Sequence, residues 1–453
     1  MAAALDGGRP RLLLGCYFPR SVALEGIGNF VRGIATQMAR IGCQVQLLWP
    51  EGDPIPGKGV EVLPYGTGPA SLWRYLSAIR SASRSVDSVL LVENNPNMGF
   101  AASFAAAPHR TYTYFCTPLQ RPRDLRAAGC TWQSWTHGVA KHSLWGRLQS
   151  WSGRRCIVAS QYQVKQLLGL GARQVYVMPA SGVSCESRVP ERPEARRQLG
   201  WDGRPVVGYL GHFSPAKGVD VLVDAFSEHY HGPALLALAH SGKGRLPVKQ
   251  MRRMNALCAA GRAVFSGVVD PLIFLAGCDV AVLPYVTSSI YHPPQVMLES
   301  FAAATMVIST SVGGIEEFVR PGETGILVRP GDPKSLATAI SQCLGDSDSC
   351  HETGRQARTI FRSTLCAEIF CSNFFSVMQQ GEGTVGEMRI VPDAHLEAVA
   401  AENRQFVSDV GRPFRADPMT VKELSARKGR PTAPWESMNL KRPNPAQSHG
   451  IRG

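Results

Sequence analysis

The chain has 453 residues, 44% of them hydrophobic and 18% charged, which is the balance of an ordinary globular protein with room for two domains and an appendage. No run of about 18 apolar residues occurs, so no membrane-spanning helix is indicated, and the opening MAAALDGGRPRLLLGCYF suits a first strand better than a secretory leader; a cytoplasmic protein, peripheral at most to a membrane surface, is expected. The formal charge of +13 favours anionic partners such as nucleotides or an anionic membrane, but no aromatic-plus-basic stripe marks a nucleic-acid reader; twelve cysteines without a C-x-x-C pair argue by spacing against a zinc or redox motif and read as buried thiols.

Strand-like apolar runs alternate with helical patterns along most of the chain. The first run is 12–17. A helix follows with Ile27, Phe30, Val31, Ile34, Met38 and Ile41 on one face, ended by Gly42. Further strands are expected at 45–48, 60–63, 88–92, 111–115, 156–159 and 175–178. The polar, turn-rich stretch from Ser181 to Gly203, with Pro190 and Pro193, reads as a linker. A second series then places strands at 206–210, 235–239, 263–265, 280–283, 306–309 and 326–328. An apolar helix is expected over 361–380, a short one over 394–403, and a Pro-, Arg-, Ser- and Gly-rich disordered tail beyond.

The stretch 280–328 is the most informative. An apolar run leads to a turn with Pro293 and Pro294, a helical segment carries Glu299, a second apolar run follows, and Gly313-Gly314 closes it. Strand, turn, helix, strand, turn is the grammar of a parallel α/β sheet. A helix N-terminus after such a strand is a natural anion site, because its N–H groups and dipole point the same way. Gln295 and Val296 supply those N–H groups, since the two prolines have none. Glu299, one or two turns further on, can accept two hydrogen bonds from a vicinal diol. Upstream, Gly211-His212-Phe213-Ser214-Pro215-Ala216-Lys217-Gly218 follows a strand and puts a lysine at a helix start; taken alone, such a lysine is a solvated first-turn residue. Gly28, in Glu25-Gly26-Ile27-Gly28, lets backbone approach a ligand or another element closely. Ser241-Gly242-Lys243-Gly244 reads as a turn after a strand but is not a Walker loop.

These motifs resemble glycosyltransferase family four, whose enzymes have the GT-B fold. Pro284-Tyr285, Glu299, Gly313-Gly314, Glu317, Gly322 and Gly325 fall where that family's pattern puts them, and the resemblance covers about residues 10–380. It implies two Rossmann-like domains facing across a cleft: 1–184 on the acceptor side, a linker at 185–204, 205–360 on the nucleotide-sugar donor side, a helix at 361–380 crossing back, and a tail at 381–453 largely disordered. Lys217 matches the lysine that neutralises the donor pyrophosphate, and Glu299 the glutamate on the donor ribose; these two are the candidate catalytic residues. His212 replaces the family's arginine, and Tyr291 stands where the family has the glutamate that holds the transferred sugar. Gly28, Gly242, Gln295 and Val296 complete the expected donor pocket. The histidine that many members carry after the 111–116 strand is absent here, which leaves Thr117, Gln120 and Arg121 as candidates for the acceptor side.

The implied reaction moves a hexose from a nucleoside diphosphate sugar to a hydroxyl of a glycan, lipid-linked or small-molecule acceptor, with retention, in glycan, polysaccharide or glycolipid synthesis. No metal and no cofactor are expected, since there is no Asp-x-Asp donor loop. The alternative is a catalytically silent GT-B protein that binds nucleotide or glycan, or scaffolds a partner.

Overall fold

A computed structural model describes residues 9–18, 26–53, 59–93, 110–118, 155–168, 174–179, 181–201, 203–288 and 293–380. The expected helix at 394–403 and the 381–453 tail lie outside these residues. All of the described residues fall within one compact unit, Met1–Gly386.

The apolar runs become strands: central ones such as 88–93 and 111–115 are buried along their whole length, as a parallel sheet covered by helices requires, while the edge runs 60–64 and 263–267 are partly exposed. In the first sheet β1 (Arg11–Gly15), β2 (Gln44–Trp49), β3 (Val60–Pro64), β4 (Ser88–Glu93), β5 (Thr111–Phe115), β6 (Arg155–Val158) and β7 (Gln174–Val177) lie in the order β3-β2-β1-β4-β5-β6-β7. Every pairing is parallel. Helices α1 (Gly26–Arg40), α2 (Ser71–Ala82) and α3 (Gln161–Leu168) belong to this half. In α1 the expected face is the buried one: Ile27, Phe30, Val31, Ile34 and Met38.

The second sheet repeats the plan. β8 (Val206–Phe213), β9 (Leu235–Gly244), β10 (Ala263–Gly267), β11 (Val280–Leu283), β12 (Met306–Thr310) and β13 (Gly325–Val328) lie in the order β10-β9-β8-β11-β12-β13, again all parallel. Two apolar clusters sandwich it, one containing Phe274, Phe301 and Ile315, the other Val219, Phe226 and Ile340. The strand-to-strand helices are α5 (Val219–Asp224, continued as a wider turn over Ala225–His229), α6 (Val248–Ala259), α7 (Pro271–Gly277) and α8 (Gln295–Ala302).

Two stretches differ from the sequence reading. Residues 185–204, read as linker, contain an eight-residue helix, α4 (Arg192–Leu199), started by a proline in its first turn and stopped by Gly200 at φ 68°. It is fixed to the second sheet by Arg192 and Arg196, whose guanidinium groups reach Asp279 at 3.7 and 2.5 Å. The apolar segment 361–380 is not one helix. A helical pair, Pro333–Gly345 and Ser347–Ile360, leads into a π turn over Phe361–Leu365. Cys366 is extended at φ −70°, ψ 165°, and a new helix runs Ala367–Gln380. Phe370 and Phe374 of that last helix pack edge-on against Phe30, Tyr112 and Tyr114 of the first sheet's half, at centroid distances of 5.1–6.3 Å.

Candidate functional site

Each sheet reverses its strand order between its first and fourth strands, β1/β4 and β8/β11. The carboxyl ends at such a reversal leave a crevice, the place where open α/β sheets take ligands. In the second sheet that crevice lies between the segment after β8 and the segment after β11.

The two segments are stitched together. After β8 the chain makes a 3₁₀ turn, Pro215–Lys217, and Gly218 adopts φ 66°. A Cβ on Gly218 would overlap the carbonyl of Pro284, so this position demands glycine for both its conformation and its space. The N–H of Val286 donates to the Ala216 carbonyl at 3.1 Å. This places Lys217 Nζ 4.7 Å from the centroid of the Tyr285 ring, a cation–π contact. No carboxylate pairs with Lys217 among the described residues. Burial holds its ammonium at a pKa of about 8, below the usual lysine range, so it remains charged at neutral pH.

Glu299 lies on the inward face of α8 and is only 7% exposed. Burial, reinforced by the charge of Asp270, pushes its carboxyl up to about 7. Burial and the nearby Glu299 charge also push the Tyr285 phenol up. Tyr285 thus sits between a cation on its ring and an acid near its hydroxyl. Gln295 and Val296 occupy the first two positions of α8 after Pro294, where N–H groups have no intrahelical carbonyl to bond. His212 is the penultimate residue of β8, its carbonyl accepting from the Tyr209 hydroxyl at 2.6 Å. Burial, then the charges of Lys217 and His240, push its imidazole down to about 4. It is neutral where an arginine would be charged.

Gly242 is not in a turn. β9 continues to Gly244, which pairs with Phe213 after a register shift between Gly211 and Phe213. The Ser-Gly-Lys-Gly string has turn-forming residues, but β8 extends far enough to give it a pairing edge, and ladder hydrogen bonds decide the matter. Tyr291, Gln120 and Arg121 lie outside the described residues.

The first sheet's half closes on this crevice. Gly28 is buried in the first turn of α1. A Cβ on Gly26 would lie 3.6 Å from Cβ of Gln295, so the starts of α1 and α8 face each other. Gln295 Oε1 accepts the Gly182 N–H at 3.3 Å. The closest backbone approach uses Gly33 rather than Gly28: side chains on Gly33 or Gly182 would run into each other's segment, on the Gly182 carbonyl and on the backbone of Asn29 and Phe30. Thr117 follows β5, and its neighbour Pro118 reaches the Gly313 turn, 3.9 Å from where a Cβ would stand. Glu317, in the 3₁₀ turn after Gly314, accepts the N–H groups of Gln161 and Tyr162 at 2.8 and 2.7 Å. One carboxylate from the second sheet's half therefore caps α3 of the first, complementing its dipole. Sequence reasoning placed Tyr285 and Glu317 in a pattern without giving them a contact, and it missed Gly33, whose partner is far away in the chain and whose only local signal was glycine itself.

Two doubly wound parallel sheets, with a crevice at the strand reversal holding a lysine and a buried glutamate, define the GT-B class. Residues 204–346, the segment that builds the crevice, match the family described as glycosyl transferases group 1, in agreement with the motif resemblance. Among curated proteins the chain is similar to the D-inositol 3-phosphate glycosyltransferase of Nocardia farcinica, 29% identical over 43% of this chain and 45% of that one. It is 36% identical to the lipopolysaccharide core biosynthesis glycosyltransferase LpsE of Rhizobium meliloti, over 32% of this chain and 40% of that one. The chain thus spans less than half the length of these relatives. The fold is shared with the sucrose-phosphate synthase of Thermosynechococcus elongatus, at TM-score 0.67 and 18% identity over 82% of this chain and 99% of that one. It is shared too with Anabaena HepE in complex with UDP-glucose, at TM-score 0.61 and 18% identity over 82% and 99%.

Proposed function

We propose that the chain is a glycosyltransferase that moves a hexose from a nucleoside diphosphate sugar to a hydroxyl of a glycan, lipid-linked or small-molecule acceptor, with retention. The observation that carries the reading is the convergence of Lys217, Tyr285 and Glu299 at the strand reversal of a group 1 segment. Lys217 is a charged, carboxylate-free cation among the described residues, supported from beneath by an aromatic face; it meets the pyrophosphate of the donor and stabilises the charge that grows as the sugar–phosphate bond breaks. The Gln295 and Val296 N–H groups receive the phosphate oxygens at the start of α8. Glu299, ionised, accepts the two ribose hydroxyls. His212, neutral, contributes a hydrogen bond in place of an arginine's charge. Gly28 approaches from the first sheet's half and Gly242 lies on the donor side; the roles that the resemblance implies for Tyr291 with the transferred sugar, and for Thr117, Gln120 and Arg121 with the acceptor, are retained.

The bond between the anomeric carbon and the phosphate oxygen breaks, and the acceptor oxygen bonds to that carbon on the same face. A departing phosphate oxygen takes the acceptor proton, so the protein supplies no nucleophile. Lys217 and the helix N-terminus take the electrostatic role that a metal ion would otherwise have at the pyrophosphate. The complex of HepE with UDP-glucose supports a uridine nucleotide as the first donor class to test, and the mixture of sugar-phosphate and lipopolysaccharide enzymes among the relatives leaves the acceptor class broad.

The test is a thermal-shift screen of the full chain against UDP, GDP, ADP and their sugar conjugates, with Lys217→Ala beside it, followed by assay for donor hydrolysis. A Tm rise with one nucleotide that the variant loses supports the reading. Binding without hydrolysis or transfer favours the catalytically silent protein, for which the neutral His212 is the specific observation. No shift with any nucleotide removes the donor site.

A further inference from the structure

Where the chain leaves the first sheet and where its last helix begins, three metal-binding side chains meet. The Sγ atoms of Cys185 and Cys366 and a carboxylate oxygen of Glu368 all lie within 4.8 Å of one another. We propose that they form a binding site for a thiophilic divalent cation of the zinc class. None of the three belongs to the set of side chains proposed to hold the donor, and the ion takes no part in the transfer.

Several features make this a prepared site rather than a chance cluster. The three residues are fixed by backbone: the Ala367 N–H donates to the Val183 carbonyl at 3.0 Å, which lays the segment 183–185 along the start of the last helix. The Glu368 carboxylate is oriented by two donors, the Ser184 hydroxyl and the Cys185 N–H, the latter at 2.9 Å. Such outer contacts are what aim a carboxylate at a metal. Cys366 is fully buried, its thiol donating to the Arg362 carbonyl at 3.4 Å, and Cys185 is half-buried. Two thiols and a carboxylate carry one negative charge; two thiolates, a carboxylate and a dication carry the same. A dication thus replaces two protons without adding net charge to a half-buried place. Sulfur ligands select zinc-class ions over magnesium or calcium. Three protein ligands leave the fourth tetrahedral position for water on the exposed side of Cys185. Cys185 and Cys366 are 181 residues apart in the sequence, so an ion here staples the segment between the two sheets to the start of the last helix.

The experiment uses the full chain, reduced and stripped with chelator, and titrated anaerobically with Co(II). The expected result is a thiolate-to-cobalt charge-transfer band saturating at one ion per chain, with visible bands of tetrahedral intensity, both bleached by Zn(II). The charge-transfer band should be lost in Cys185→Ser and in Cys366→Ser. Ser184→Ala, which removes only an outer hydrogen bond, should weaken binding roughly 10- to 100-fold while leaving the band, and it guards against loss of signal through misfolding; far-UV circular dichroism checks each variant. Absence of the band in reduced wild-type protein overturns the proposal. So does a band that survives in the Cys185→Ser/Cys366→Ser double variant, which would place an adventitious ion on other cysteines. A Cys185–Cys366 disulfide in the isolated protein, with no cobalt uptake after reduction, also overturns it in favour of a redox pair.

Discussion

Replacing Glu299 by glutamine should stabilise the empty protein at pH 8 and leave it unchanged at pH 4. Burial lifts the carboxyl from 4.5 to about 7 in the folded chain. A folded pKa above the unfolded one means that the protonated form is the one folding favours. That contribution is fully present below pH 4.5 and is lost as pH rises through about 7. At roughly 1.4 kcal/mol per pH unit, the ionised carboxylate costs about 3 kcal/mol above pH 7. Glutamine keeps the shape of the neutral acid and cannot ionise. The Glu299→Gln variant should therefore gain about 3 kcal/mol at pH 8, of order 5 °C in Tm for a chain of this size, and close to nothing at pH 4. The assay is a set of thermal melts of both proteins from pH 4 to 8, without nucleotide. Repeating them with saturating nucleotide should reverse the ranking at pH 8, because only the carboxylate accepts both ribose hydroxyls. A variant that is less stable than wild type by the same margin at every pH would refute the reasoning, since it would show a carboxylate held by hydrogen bonds rather than one stranded by burial.

Four other outcomes follow from the site and its packing. Lys217→Ala should weaken nucleoside diphosphate binding roughly 10- to 100-fold, the worth of one charged hydrogen bond. Wild-type affinity should fall as pH rises through about 8, where Lys217 loses its proton; a pH-independent Kd measured by calorimetry would argue against the phosphate contact. Glu317→Ala should destabilise the chain by about 1–3 kcal/mol in denaturant melts, because two N–H groups of α3 lose their acceptor, and Glu317→Gln by less, since its carbonyl still accepts one. Gly33→Ala should lower stability by about 1–3 kcal/mol through overpacking against Gly182, whereas Gly203→Ala, with nothing within 4 Å, should be close to neutral in the same melts.

The parallel sheets were legible because most strands are short apolar runs bounded by turn residues; Val280–Leu283 needs only its four apolar side chains to be placed. The Lys217 and Glu299 positions were legible as motif. Their charge states were not, because these depend on burial that only the assembled crevice creates. The strand ending at Gly244 was hidden by residues with turn chemistry, since what extends it is an edge offered by Phe213. Spacing along the chain spoke against a zinc motif, and spacing is blind to a pair such as Cys185 and Cys366, which only the return of the last helix brings together. The linker helix Arg192–Leu199 was masked by prolines that start it rather than break it.

The peptide at Gly182 has a mechanical consequence. Its N–H is tied to Gln295 of α8, and its backbone lies flush on α1. That one peptide therefore touches both facing helices at once, and the Glu317 carboxylate on Gln161 and Tyr162 is a second tie between the halves, so a rotation of one half against the other must strain both contacts.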